Sequence, residues 1–352
     1  MLLLLLAAAS PRPSGARHWA PEGGGGREEI VVYATGWNGP IDNGDDWHYF
    51  DFSRATTIIS LGGGVPSSLL AKAHAARPGV RVIKGLVLDV DVAGAAADLE
   101  GWLATAAGWV TGGGGTPTGV DGLNVVAIRH QSPSVTPADL AAVFKRLRAL
   151  LPSSSQLSAT LPLPARTTAP SAASASTSTA LVMALSAVAD FVVLAAYDLH
   201  LGEDRPAPNV GLDELEAGIA QLTAAGIATT KLVVALAWHG WDYRCGPARS
   251  GCAVAPPAAS RATWHGWNVQ RSAAFIAELA GAVAGPATLP PNRLHPPPTL
   301  DPVSQTMSFG YVDAAGVRHV VMYDSTETLA RKYATCRAAG MLDLGLFRPF
   351  RT

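Results

Sequence analysis

Charge of either sign is scarce in this sequence. Only 15% of the 352 residues are Asp, Glu, Lys or Arg, and 26 basic against 27 acidic residues leave a formal net charge of −1. A nucleic-acid-binding surface shows a basic surplus, so no nucleic-acid partner is expected. No HExxH or CxxC spacing occurs, and no metal is expected. The run Gly62-Gly63-Gly64 lacks the lysine and hydroxyl of a GxxxxGK[ST] loop, which argues against nucleotide binding and leaves no cofactor to expect. Cysteine is limited to three residues. Cys245 and Cys252 flank a loop containing Gly and Pro and could close a small disulfide in an oxidising compartment. Cys336 lies in a helical pattern and reads as a buried apolar thiol. No Asn-x-Ser/Thr occurs, so N-glycosylation is not expected.

Apolar residues, by contrast, make up 48% of the chain, enough for a sizeable core. The length fits one large α/β barrel or two small domains. Residues 1–27 read as a signal peptide followed by a disordered spacer. The apolar core Leu2–Ala9 is too short to span a bilayer, and Pro, Gly and polar residues follow it to about Arg27. This predicts a secreted or lumenal protein; the competing reading of the same residues is a plain unstructured N-terminus. No later run is long and apolar enough for a membrane span.

From residue 28 onward, strand-like apolar runs alternate with amphipathic stretches. The runs are Ile30–Ala34, Thr57–Leu61, Val80–Leu88, Leu123–Ile128, Leu157–Leu161, Phe191–Ala196, Leu232–Trp238 and Leu342–Phe347. Helical stretches are expected at Ser67–Ala76, Ala95–Val110, Pro137–Leu151, Ala180–Ala189, Leu212–Ala225, Val269–Ala284 and Glu327–Ala339. Eight strands with helices between them is the count of a (β/α)8 TIM barrel, here spanning residues 28–352 as one domain. Near-continuous apolar strands suit a parallel sheet covered on both faces, and on periodicity alone a doubly wound open sheet stays open as an alternative. Thr167–Thr179 is Ala/Ser/Thr-rich and reads as a loop or ragged helix start. Pro286–Pro302 is irregular by its proline content. Thr306–Val312 and Val317–Tyr323 flank Asp313-Ala314-Ala315-Gly316, the signal of a β-hairpin added before the last helix and strand.

Five segments carry a resemblance. Gly119–Arg129 reads GVDGLNVVAIR, in which Asp121 and Gly122 match the opening of a DGxDxDxE pattern. Ala196-Tyr197-Asp198 is like M-x-Y-D, and Lys231–Cys245 (KLVVALAWHGWDYRC) is similar to KLVxGxPWYGYDYxC. The hairpin with Met322-Tyr323-Asp324-Ser325, and Gly340–Phe347 (GMLDLGLF), complete the set. In this order they resemble glycoside hydrolase family 18, nearest its di-N-acetylchitobiase branch. The resemblance implies a TIM barrel that acts on bonds beside N-acetylglucosamine. The substrate's acetamido oxygen would attack the anomeric carbon, one Glu would protonate the leaving oxygen, and a neighbouring Asp would orient the acetamido group, outside the two-carboxylate scheme of most glycosidases.

Strand side chains alternate faces, so positions 124, 126 and 128 would point into the barrel. They hold Asn124, Val126 and Ile128. Val126 stands where the family has the orienting Asp and Ile128 where it has the acid, and no Asp or Glu occurs between Gly122 and Ala138. No catalytic set is therefore intact. Losing a general acid removes about 10²–10⁴-fold in rate. His130 follows the strand and reads as a loop histidine. Asp89, Asp91 and Asp242 also follow strands and read as capping or loop residues. By resemblance, the sugar-binding residues would be Tyr197, Asp198, Trp238, Phe347 and Trp37, with Trp241 and Tyr243 as further aromatics. The expected function is a family 18 homologue that recognises N-acetylglucosamine oligosaccharides, works as a monomer and is catalytically impaired. An active glycosidase with a relocated acid and a non-catalytic interaction barrel are the alternatives.

Overall fold

The structure is a computed structural model that describes residues 29–35, 47, 50–88, 96–112, 120–126, 136–164, 172–200, 205–246, 252–254, 268–272, 276–277, 279–280 and 297–347. Seven strands come first: β1 Val31–Thr35, β2 Thr57–Leu61, β3 Arg81–Val87, β4 Gly122–Val126, β5 Gln156–Pro162, β6 Phe191–Ala196 and β7 Leu232–Ala237. Between them lie α1 Ser67–Ala76, α2 Ala96–Thr111, α3 Pro137–Leu150, α4 Ala172–Ser186 and α5 Leu212–Ala224. Five further strands follow β7: β8 His239–Arg244, β9 Asn268–Ser272, β10 Thr299–Asp301, β11 Thr306–Val312 and β12 Arg318–Tyr323. The chain then returns through α6 Thr326–Ala338 and β13 Leu342–Phe347.

Strands β1 to β7 and β13 close into a barrel in the order β1-β13-β7-β6-β5-β4-β3-β2. Every neighbouring pair is parallel, and helices cover its outside: this is the (β/α)8 barrel. The two-residue side-chain period sorts the strands into two cores. Val31, Tyr33, Ile59, Ile83, Phe191, Val193, Ala195 and Tyr197 fill the interior with Val233, Ala235 and Ala237. The alternate residues Leu123, Val125, Leu157, Ala159, Val192, Leu194, Val234 and Leu236 pack outward against Leu140, Phe144, Leu215, Leu222 and Tyr333 of the helices. Helix α3 starts at a capping box in which Thr136 and Asp139 satisfy each other's backbone N–H, a device worth about 1 kcal/mol. Helix α4 begins inside the Ala/Ser/Thr-rich stretch, at Ala172, earlier than its periodicity suggests; the alanines there have the highest helix propensity.

The expected hairpin is present as β11 and β12, paired from Met307↔Tyr323 to Val312↔Arg318. Its turn uses Gly316 at φ 81°, a left-handed conformation that glycine adopts without penalty. The hairpin is only the middle of a five-stranded antiparallel sheet, β10-β11-β12-β8-β9. Three of its strands depart from the sequence expectation. Thr299–Asp301, in the stretch expected to be irregular, is strand β10, held by pairing with β11 from Thr299↔Ser308 to Asp301↔Thr306. The HGWDYR run after β7 forms β8, separated from β7 by Trp238 alone. The helix expected over Val269–Ala284 begins instead as strand at Asn268–Ser272, drawn into extended form by pairing with β8 from His239↔Ser272 to Tyr243↔Asn268, while the described residues 276, 277, 279 and 280 are helical as expected.

Among the described residues, no helix is long and apolar enough to cross a membrane. The expectations placed on residues 1–27, on Trp37, Asp89, Asp91, Ile128, Arg129 and His130, and on most of Pro286–Pro302 lie outside the described residues.

Candidate active site

The C-terminal ends of barrel strands form the face where such barrels carry their sites, and three segments meet there. Tyr197 and Asp198 follow β6, Asn209 precedes α5, and His239 and Trp241 belong to β8. Asp198 has φ 58°, a left-handed conformation that Asp tolerates better than most residues but that still costs free energy. Its neighbours hold it there. The Asp198 backbone N–H donates to Asn209 Oδ1 at 3.3 Å. On the side chain, the Trp241 indole N–H donates to Asp198 Oδ1 at 2.9 Å and to Asn209 Oδ1 at 3.1 Å. His239 Nε2 lies 3.1 Å from Asp198 Oδ1, and Asn209 Nδ2 donates to the His239 carbonyl at 2.7 Å. The Tyr197 and Trp241 rings each meet the His239 ring edge to face, at 6.3 and 5.8 Å. Within this group the His239 side chain is wholly covered while that of Asp198 is 26% exposed, so solvent reaches the carboxyl group.

Tyr197 closes the inward-facing column of β6. Burial, and then the nearby Tyr33 and Asp198, push its phenol pKa well above the ordinary value of 10.0, which keeps it a neutral hydrogen-bonding group. Lower in the barrel, inward side chains form a polar chain. Tyr33 Oη and Thr160 Oγ1 are 2.7 Å apart, Thr160 donates to Asn124 Oδ1 at 2.8 Å, and Asn124 Nδ2 donates to Ser158 Oγ at 2.9 Å. Asn124 is therefore fully buried and engaged. Val126 is the next inward residue on β4, in register with Val87 and Thr160. Among the described strand residues of β1 to β7 there is no Asp or Glu. Asp121, which precedes β4, turns its carboxyl to the backbone instead, accepting from the Val82 N–H at 2.9 Å.

The other residues expected at the sugar site are placed as follows. Trp238 directly follows Ala237, an inward residue; alternation sends it outward, and it packs on the outer core formed by Leu329, Tyr333 and their neighbours. Phe347 pairs in register with Tyr33 and Ala237, and its side chain lies outside the described residues. Trp241 and Tyr243 are buried and pack with Val254 and Met322, and the Tyr243 hydroxyl donates to the Ala207 carbonyl at 2.9 Å. Asp242 points to the opposite side of β8, where Tyr311 Oη donates to it at 2.8 Å and Arg271 and His319 flank it at 3.2 and 2.8 Å. Cys245 and Cys252 are joined by a disulfide, and Cys336 is a buried thiol outside any disulfide. His239 and Asn209 had no role in the sequence reading. His239 stood inside a quoted motif, but nothing in its spacing pointed to Asp198, 41 residues away. The described residues include no group of three or more His, Cys, Asp or Glu arranged to hold a metal.

No protein-family model matches the sequence, and no curated protein sequence does either. Solved structures do match. The chain is similar to a chitinase from Chromobacterium violaceum at 15% identity and a TM-score of 0.64, over 91% of this chain and 93% of that one. It is similar to the Group IV chitinase of Ostrinia furnacalis in complex with allosamidin, at 12% identity and a TM-score of 0.68 over 91% of each chain. A glycoside hydrolase family 18 N-acetylglucosaminidase from Paenibacillus barengoltzii matches at 12% identity and a TM-score of 0.61, over 91% of this chain and 94% of that one. At these identities the likeness is one of architecture: the chain shares its (β/α)8 barrel fold with these proteins.

Proposed function

We propose that the chain is a glycoside hydrolase family 18 homologue, nearest the chitobiase-like branch, that binds N-acetylglucosamine oligosaccharides at the C-terminal face of its barrel and hydrolyses them poorly or not at all. The observation that carries this reading is the inward column of β4. Asn124 is engaged with Ser158 and Thr160, the next inward residue is the aliphatic Val126, and no described residue of β1 to β7 is a carboxylic acid. An aliphatic side chain can neither orient an acetamido group nor donate a proton. Support for retained binding comes from Tyr197 and Asp198, which stand together at the mouth with a buried phenol and a solvent-reached carboxyl group. The fold-level neighbours, two of them chitinases and one an N-acetylglucosaminidase by name, favour this ligand class. The reading includes a secreted or lumenal monomer.

The test is incubation of the purified protein with chitotriose, following release of N-acetylglucosamine, beside a variant carrying Val126→Asp and Ile128→Glu. A silent native protein and a variant that turns over support the reading. Turnover by the native protein would sink it. The favoured account would then be an active glycosidase with a relocated acid, and Asp198 would be the first carboxyl group to examine, because it follows β6 at this face and is partly exposed.

A further inference from the structure

Two side chains of β8 reach Asp198, and both reach the same oxygen. The Trp241 indole N–H and His239 Nε2 converge on Oδ1 at 2.9 and 3.1 Å, and Oδ2 is engaged by no described residue. An acidic oxygen accepts and does not donate when ionised, so this contact sets the histidine tautomer with its proton on Nε2. The covered imidazole cannot itself meet a ligand in the mouth, whereas the partly exposed carboxyl group can. Two donors on one oxygen fix the rotation of the carboxyl plane and therefore where the second oxygen points. The backbone beneath is held independently, by the Asn209 carboxamide on the Asp198 N–H and the His239 carbonyl. Strand β8 in turn is fixed on both edges, pairing with β9 through Trp241↔Gln270 and with β12 through Trp241↔Met322.

We propose that His239 is a positioning residue for Asp198: with Trp241 it holds Oδ1, so that Oδ2 meets an N–H or O–H of the N-acetylglucosamine ligand. This rests on the sugar-binding reading above. It assigns the antiparallel sheet a role in that binding, since β8 carries both donors. Pre-setting the carboxyl group removes the ordering cost that a freely rotating acid would bear on binding.

The experiment is titration calorimetry of chitotriose against the native protein and against His239→Gln and His239→Leu, with thermal melting of each. Gln keeps an N–H donor at similar reach, and Leu keeps bulk without one. The expected result is binding by the native protein, loss of about tenfold or more in affinity for His239→Leu, the size of a lost charge-assisted hydrogen bond, and near-native affinity for His239→Gln. Native-like affinity in His239→Leu overturns the inference while leaving sugar binding intact. Absence of binding by the native protein overturns both readings together. Equal loss in the Gln and Leu variants, tracking equal loss in melting temperature, shows a structural role and also overturns it. Should His239→Leu fail to fold, Trp241→Phe removes the other donor to Oδ1 and keeps most of the ring; weakened binding supports the inference and unchanged binding overturns it.

Discussion

Tyr33 and Asn124, on the first and fourth strands and three apart around the barrel wall, meet through a single hydroxyl, that of Thr160. Its oxygen is 2.7 Å from Tyr33 Oη and donates to Asn124 Oδ1 at 2.8 Å. All three side chains are buried, and burial raises the Tyr33 phenol pKa despite the opposing Thr160 hydrogen bond. Thr160→Val keeps the shape and removes the shared partner. We predict destabilisation of about 1–3 kcal/mol, the cost of taking a hydrogen-bond partner from buried polar groups. Urea unfolding of the two proteins measures it.

How much of this was legible beforehand depends on the interaction that decides each element. The barrel strands announce themselves because both faces are buried and the runs are apolar; Thr57–Leu61 and Phe191–Ala196 have the boundaries the sequence suggests. Strand β9 does not. Asn268, Gln270, Arg271 and Ser272 have no strand signature of their own, and only pairing with β8 makes them extended. The site shows the same division. Tyr197 and Asp198 could be found by motif. Asn209 and His239 could not, because hydrogen bonds across distant segments leave no trace in local spacing. Trp238 sat in the most distinctive motif, yet parity sends it to the outer core.

Glycines divide into those that permit contact and those that merely occur. A Cβ on Gly122 would sit 2.0 Å from the Gln156 carbonyl oxygen, whereas one on Gly63 would meet nothing within 4 Å. Gly122→Ala must push β4 and β5 apart along backbone atoms that cannot swing away. We predict a loss of at least about 3 kcal/mol for Gly122→Ala, the upper part of the overpacking range, and a change within about 0.5 kcal/mol for Gly63→Ala, as for ordinary surface substitutions. Equal effects in thermal melts of the two variants would contradict the assignment of that contact.

Lys332 ties the last helix to three other segments. Its ammonium donates to Asp324 Oδ1 at 2.6 Å, to the Val210 carbonyl at 2.8 Å and to Thr306 Oγ1 at 3.2 Å, and its side chain is wholly buried. Burial pushes the Asp324 carboxyl pKa up, outweighing the charge and hydrogen bonds of Lys332 that pull it down. The close ion pair therefore offsets, without exceeding, the cost of taking the carboxylate out of water. Lys332→Met alone removes the counter-charge of that buried carboxyl group, leaving the Thr328 hydroxyl donating to it at 2.8 Å, and is predicted to cost about 3–5 kcal/mol, whereas adding Asp324→Leu restores much of the loss. A double variant no more stable than Lys332→Met would contradict this.

His319 gives the antiparallel sheet its own pH response. Its Nδ1 is 2.8 Å from Asp242 Oδ1, its Nε2 is 3.4 Å from Asp313 Oδ2, and the Tyr311 ring stacks on it at 4.6 Å. Arg271 completes the cluster from β9, at 3.2 Å from Asp242. Burial pulls the imidazole pKa down, but the hydrogen bonds and charges of Asp242 and then Asp313 outweigh it, and the net shift is upward from 6.5. A folded pKa above the unfolded one means that the folded state holds its proton more tightly. The stabilisation is complete below the ordinary value of 6.5 and is lost as pH rises through the raised one. Asp313 works from the acid side. The Val317 backbone N–H is the leading cause of its lowered pKa, against a smaller effect of burial, so its contribution disappears as pH falls through that lowered value. We predict that the urea midpoint of the native protein declines as pH rises above the ordinary value of 6.5 and that His319→Gln flattens this decline, because the variant has no proton to lose. An unchanged slope in His319→Gln would mean that His319 does not carry the pH response.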